Sequence, residues 1–370
     1  MSGPSTRVPE PLPKDLRAGR LARRAGELAV LGVVVALLIS TLPGLGEVRE
    51  RFADAQLVWL LAVVVLELAS CLSYVVAFRG VFCSRLDWRF SYEIGMAEQA
   101  TNVLLPAGGV GGLALGAWAL RQGGMSTGHI ARRSVAFFVL TSAPNFICAA
   151  VFGSILATGL VPDAGPGALT IALAGLAWAA IVLVALLPRI LERLDPAVRP
   201  PEHVHESRIV RLRRILRQGA VTAAAGVQDA VVLLRNRDTM VLFGSIGYMA
   251  FDAAALAAAF AAFGGTPDLA TFVFAYVIGQ LGGLIPLPGG IGGTDGGLIA
   301  ALTVYGSPLS QATAAVLAYR AFQLSIPAIL GSIAFVQLRN TLARDEAPAA
   351  LCEPFDEPLP VVHLPSRARA

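Results

Sequence analysis

Arg320 and Asp295 stand inside otherwise apolar sequence and are the pair whose types best suit a phosphate. A guanidinium offers a planar fork that grips phosphate or carboxylate oxygens two at a time, and a nearby carboxylate can hold that fork when no phosphate does. The plainer alternative is a fixed structural ion pair. Three further acids, Glu67, Asp252 and Glu98, also fall within apolar runs and are candidates for coupling proton movement. Glu67 and Asp252 stand at comparable distances before two similar glycine runs, as a symmetry-related pair would. Glu93 lies nearer the end of its run and reads as a solvated charge.

The glycine runs are Leu105-Pro106-Ala107-Gly108-Gly109-Val110-Gly111-Gly112 and Pro286-Leu287-Pro288-Gly289-Gly290-Ile291-Gly292-Gly293. Glycine with proline breaks a helix and bares N–H groups at the start of the next one, where the helix dipole favours an anion. Gly108, Gly109, Gly111, Gly289, Gly290 and Gly292 are therefore candidate substrate-binding positions, although glycines serve close helix packing as well. Asn102 and Gln280, just before the breaks, are placed to cap freed backbone or to line the same site. His129, His203, His205 and His363 are scattered, and neither run carries the Lys-Ser/Thr of a phosphate loop. No catalytic residue, metal site or cofactor is expected, and the chain reads as a non-enzyme. Cys71 and Cys148 fall in apolar runs and Cys83 and Cys352 in segments expected in the cytoplasm, so no disulfide framework is expected either.

The elements that carry these residues are membrane helices. A hydrophobic fraction of 55%, a charged fraction of 15% and a mean hydropathy of +0.67 over 370 residues exceed what a soluble domain carries. The runs have helical length and lack the alternation of barrel strands, so the fold is all-α. At bilayer depth an ionisable group costs about 2.5–3.5 kcal/mol on insertion scales, which is why each one calls for a partner, water or a role. The net charge of +4 comes from arginines between the runs and at the ends, where they set orientation and imply no nucleic acid.

In chain order, residues 1–26 form a basic tail, and spans are expected at 27–42 and 57–78. A broken hairpin follows from 92 to 120, then a span at 134–159. An external loop precedes a span at 169–187, and residues 188–239 are arginine-rich. There Ile209, Leu212, Leu216, Ala220, Ala223, Val227, Val231 and Leu234 recur at helical spacing, which fits an amphipathic helix on the inner membrane surface and equally a linker helix packed on the membrane domain. A span at 240–263, a second broken hairpin at 272–304, a span at 312–338 and a tail over 339–370 complete the chain. This gives about six full spans and two hairpins, organised as repeat 1 (27–159) and repeat 2 (160–187 and 240–338). Arginines flank the first hairpin and segments without basic residues flank the second, so the repeats are inverted, a plan typical of secondary transporters. Both termini are expected in the cytoplasm of a cell-membrane protein.

The stretch Ile285-Pro286-Leu287-Pro288-Gly289-Gly290-Ile291-Gly292, followed by Asp295, Gly306, Arg320, Pro327 and Gly331, resembles the lysylphosphatidylglycerol synthase membrane-domain family, also called flippase-like integral membrane proteins. The resemblance spans roughly residues 27–338. That family usually has glutamate where Asp295 stands, and often has charges where this chain has its apolar Gly108–Gly112 run. The resemblance implies movement of a lipid between leaflets, with anionic or phosphate-bearing membrane lipids as partners. Aminoacyl transfer is not expected, since only about thirty residues follow the last span where a synthase needs a soluble domain. Two other functions fit the same elements: an ion-coupled carrier of a small anion, and a non-transporting subunit that assists lipid-linked glycan synthesis.

Overall fold

In the computed structural model the described residues are 46–105, 110–159, 167–194, 208–284 and 290–344, with Gly19, Arg23, Gly26, Glu27, Ala349 and Cys352 besides. They form eleven α-helices and no strand. These are α1 (Gly46–Ala53), α2 (Leu57–Phe82), α3 (Trp88–Leu104), α4 (Val110–Gln122), α5 (Thr127–Ala157), α6 (Gly167–Leu194), α7 (Arg208–Arg235), α8 (Thr239–Ala262), α9 (Leu269–Gln280), α10 (Gly293–Val304) and α11 (Leu309–Ala343). Five of them, α2, α5, α6, α8 and α11, are long and apolar enough to cross a membrane. The first expected span, 27–42, lies outside the described residues apart from Glu27, as do Gly108, Gly109 and Gly289.

The centre is the antiparallel pair α2 and α8. Gln56 N–H donates to Ala262 O at 3.2 Å, and Ser70 Oγ donates to Tyr248 O at 2.9 Å, which fixes the register along the whole length. Small residues allow the close approach: a methyl on Gly244 would stand 2.3 Å from the Ala77 backbone nitrogen, and one on Gly247 would stand 2.8 Å from Ser73 Oγ. In lipid, where burying apolar surface between helices gains little, such close packing is a main source of helix association.

Two broken hairpins flank this pair. In the first, α3 starts on an Asp87 cap that accepts from Arg89 N–H at 2.8 Å, and it ends at Leu105 before turning back as α4. Asn102 Oδ1 accepts from Gly112 N–H at 2.8 Å, so its side chain satisfies backbone that the break leaves bare. In the second, α9 runs into a 3₁₀ turn at Leu281–Leu284 and returns as α10. Its limbs meet through glycine: a methyl on Gly297 would lie 2.6 Å from Gly279 O, and one on Gly282 would lie 2.0 Å from Gly293 O.

The halves exchange partners. α3 packs along α11, where Gly331 faces Met96 O, and α9 packs along α5, where Gly153 faces Phe274. Both α5 and α11 carry an internal proline, Pro144 and Pro327. The hairpins open toward opposite ends of the molecule, which is the pairing an inverted duplication produces. Arg79, Arg85, Arg89, Arg121, Arg132, Arg133 and Arg339 belong to the end from which the first hairpin enters. The other end holds Arg51, which donates to Phe263 O at 3.1 Å and Ser310 Oγ at 3.1 Å.

Two expectations need correction. Cys83 and Cys352 form a disulfide. The chain returns after α11 so that Ala349 N–H donates to Gly123 O at 3.0 Å and packs among residues of the first hairpin, which carries Cys352 to the end of α2. Glu93 is fully buried instead of solvated: Arg89 pairs with it at 3.0 Å and Thr341 Oγ1 donates to it at 2.8 Å, tying α3 to α11. The helix expected in the arginine-rich segment is present as α7, with Ala224, Val227, Asp229 and Ala230 buried and Leu216, Val231 and Leu234 exposed. Gly226 seats the buried face against Val135 and Arg132 O of α5, and Asp229 accepts from Arg132 Nη2 at 2.7 Å.

Candidate functional site

Asp252 sits midway along α8, buried, where α8 meets α9 and α11. The 3.6-residue period of α9 puts Tyr276 and Gln280 one turn apart on a single face, and the same period in α11 aligns Tyr319, Arg320 and Gln323. Tyr276 donates its hydroxyl to Asp252 in a short hydrogen bond. Tyr319 donates at 2.7 Å, Gln323 Nε2 at 2.9 Å and Gln280 Nε2 at 3.4 Å. The carboxyl group is thus surrounded by neutral donors, as a buried acid requires.

Gln323 continues the network. Its carbonyl oxygen accepts from Arg320 Nη1, and Arg320 Nε donates to Asp295 Oδ1 at 2.5 Å. Both side chains of that ion pair are largely shielded, with 8% and 18% of their surface exposed, so water screens it weakly. Asp295 lies in the first turn of α10, and its other oxygen accepts from Gly292 N–H at 2.8 Å. One carboxylate therefore spans the guanidinium fork and the N-terminus of a half-helix.

The backbone that brings them together needs glycine. Gly290 and Gly292 have φ of +67° and +85°, the left-handed region. A methyl on Gly290 would stand 2.4 Å from Thr294 Oγ1 and 3.7 Å from Arg320 Nη2, so only a bare backbone passes between the half-helix and the guanidinium.

Of the residues singled out in the sequence, Arg320, Asp295, Gly290, Gly292, Gln280 and Asp252 meet in this one network. Glu67 lies across the α2/α8 crossing from Asp252, close enough for the two carboxyls to act on each other. The first hairpin is separate. Glu98 accepts from Tyr74 OH at 2.7 Å and fills the space beside Gly116, Asn102 caps Gly112, and Gly111 packs on Leu105 and Thr101. Neither Glu98 nor Asn102 makes a hydrogen bond to the Arg320 network among the described residues. Tyr276, Tyr319 and Gln323 were not singled out. Their signal is polar residues repeating at three- and four-residue spacing within apolar helices, and it is weaker to the eye than a charge.

Asp295 occupies, with its two oxygens, the donors that a phosphate oxyanion would use: a guanidinium N–H and a helix-terminal backbone N–H.

The family described as the lysylphosphatidylglycerol synthase TM region matches this chain over residues 28–331. Neither curated proteins nor solved structures gave a match.

Proposed function

Because this chain belongs to the family of the lysylphosphatidylglycerol synthase TM region, we propose that it moves a phosphate-bearing lipid from one membrane leaflet to the other. The observation that carries this reading is the Asp295 carboxylate spanning Arg320 and the Gly292 N–H. A headgroup phosphate exchanges with that carboxylate, takes both donors, and is released when Asp295 returns. The site binds and passes a headgroup without making or breaking a covalent bond, so the protein acts as a translocase and not as an enzyme. The arginine distribution favours a cytoplasmic position for the arginine-rich end in this reading, whereas the Cys83–Cys352 disulfide at the same end is what an oxidising compartment favours.

The test is purified protein in vesicles that carry labelled anionic phospholipid in one leaflet, with leaflet exchange followed by chemical quenching. Charge-assisted hydrogen bonds contribute about 1.5–3 kcal/mol, so Arg320→Ala is expected to slow exchange at least about tenfold. Unchanged exchange of every anionic lipid tried, by a folded R320A protein, would rule the proposal out. Capture of soluble phosphate by the wild type without any lipid movement would point instead to a carrier of a small anion.

A further inference from the structure

Three carboxyl groups, Glu67 on α2, Asp252 on α8 and Asp295 on α10, gather around Arg320 of α11, the one guanidinium among the described residues there. Asp295 takes the guanidinium at 2.5 Å. Neither Glu67 nor Asp252 forms an ion pair among the described residues, yet they are only 3% and 8% exposed. Asp252 is at least surrounded by hydroxyl and amide donors. Glu67 is not: its Oε2 is buried with no hydrogen-bond partner among the described residues, and its Oε1 has only the weak thiol donor of Cys71 at 3.7 Å.

The register of the central pair explains why the two acids meet. Ser70 reaches Tyr248 and Ala77 faces Gly244, so running α2 backward against α8 sets Glu67 opposite Asp252. The charged and titratable groups facing Glu67 are Asp252 and Tyr248 from α8, Arg320 and Tyr319 from α11, and Cys71 one turn along α2. Two facing buried carboxyls with one unfilled oxygen form a site that a small cation completes, since an uncompensated buried charge costs several kcal/mol.

We propose that the Glu67–Asp252 pair is an exchange site for one monovalent cation, a proton or an alkali ion. The site lies on the seam between the two halves and is joined to Arg320 through Asp252 and Gln323, so its filling is felt where a headgroup phosphate would sit. Glu98 does not share in it, being held by Tyr74 against Gly116.

Infrared difference spectroscopy on the full-length protein in lipid nanodiscs tests this, through the carbonyl stretch that a carboxyl group shows when protonated and loses when ionised, isolated from lipid-ester and amide bands by subtracting the Glu67→Gln protein. The expected result is a band that comes and goes with pH, is lost in Glu67→Gln, is retained in Glu98→Gln, and changes its pH midpoint in Asp252→Asn. If sodium, potassium or lithium chloride removes the band at fixed pH while choline chloride does not, the cation exchanged is an alkali ion as well as a proton. If none does, it is a proton alone. A Glu67 band that neither pH nor any of these salts alters, or the absence of any Glu67-dependent band together with no saturable alkali-ion binding by calorimetry, would overturn the proposal. Lipid movement plays no part in this readout, so its outcome is independent of the headgroup test.

Discussion

Asp252 is the most heavily committed side chain of the network, accepting from Tyr276, Tyr319, Gln323 and Gln280 at once. Asp252→Ala leaves those donors buried around a gap. A buried donor left without its partner costs about 1–3 kcal/mol, so denaturant unfolding in micelles should show a loss of at least that size. Tyr276→Phe removes one bond and leaves the ring, and bonds between membrane helices average about 0.6 kcal/mol, so its effect should be the smaller. The charged members of this network were legible in the sequence because a charge in an apolar run is conspicuous. Tyrosine and glutamine carry no such signal, since either can face lipid headgroups, line a helix contact or serve a site. Glu93 shows the opposite error: a position near the end of an apolar run suggests solvent, and only the packing of α11 over α3 seals it.

Among the helices, the closest contact is also the least replaceable. Gly244 has no room for a side chain because the Ala77 backbone stands where its first carbon would go, whereas Gly175 on α6 has nothing within 4 Å. Gly244→Leu should therefore separate α2 from α8 and abolish a monodisperse peak in size-exclusion chromatography, and Gly175→Leu should leave that peak unaltered. Helix existence and the two hairpins followed from apolar run lengths, Gly-Pro punctuation and flanking arginines. Which face of α7 turns inward did not, because hydrophobic spacing fixes a stripe only where apolar burial decides the rotation. Here Gly226 and the Asp229–Arg132 pair decide it. The glycines themselves were ambiguous in sequence between ligand and packing. The structure gives Gly112, Gly116, Gly279 and Gly297 to packing between hairpin limbs, and it leaves Gly290 and Gly292 beside Arg320.

At the scale of the molecule, the two halves share a plan and differ in charge: the hairpin at Arg320 carries the ion pair, and the hairpin at Glu98 carries a tyrosine-bound acid. The Cys83–Cys352 bond lies outside that plan. Nothing in local spacing foretells it, since its partners are 269 residues apart and meet only because the chain doubles back after α11. The bond closes the polypeptide from the end of α2 to beyond α11 into a covalent ring. A single cut anywhere on the ring, for instance at a protease site engineered near residue 200, should leave one band on a non-reducing gel and two after reduction. Two bands without reductant would mean that the ring had never closed. While it is closed, residues 83 and 352 stay together, so the arginine-rich end is held by a covalent link as well as by packing, and the far end has packing and hydrogen bonds alone among the described residues.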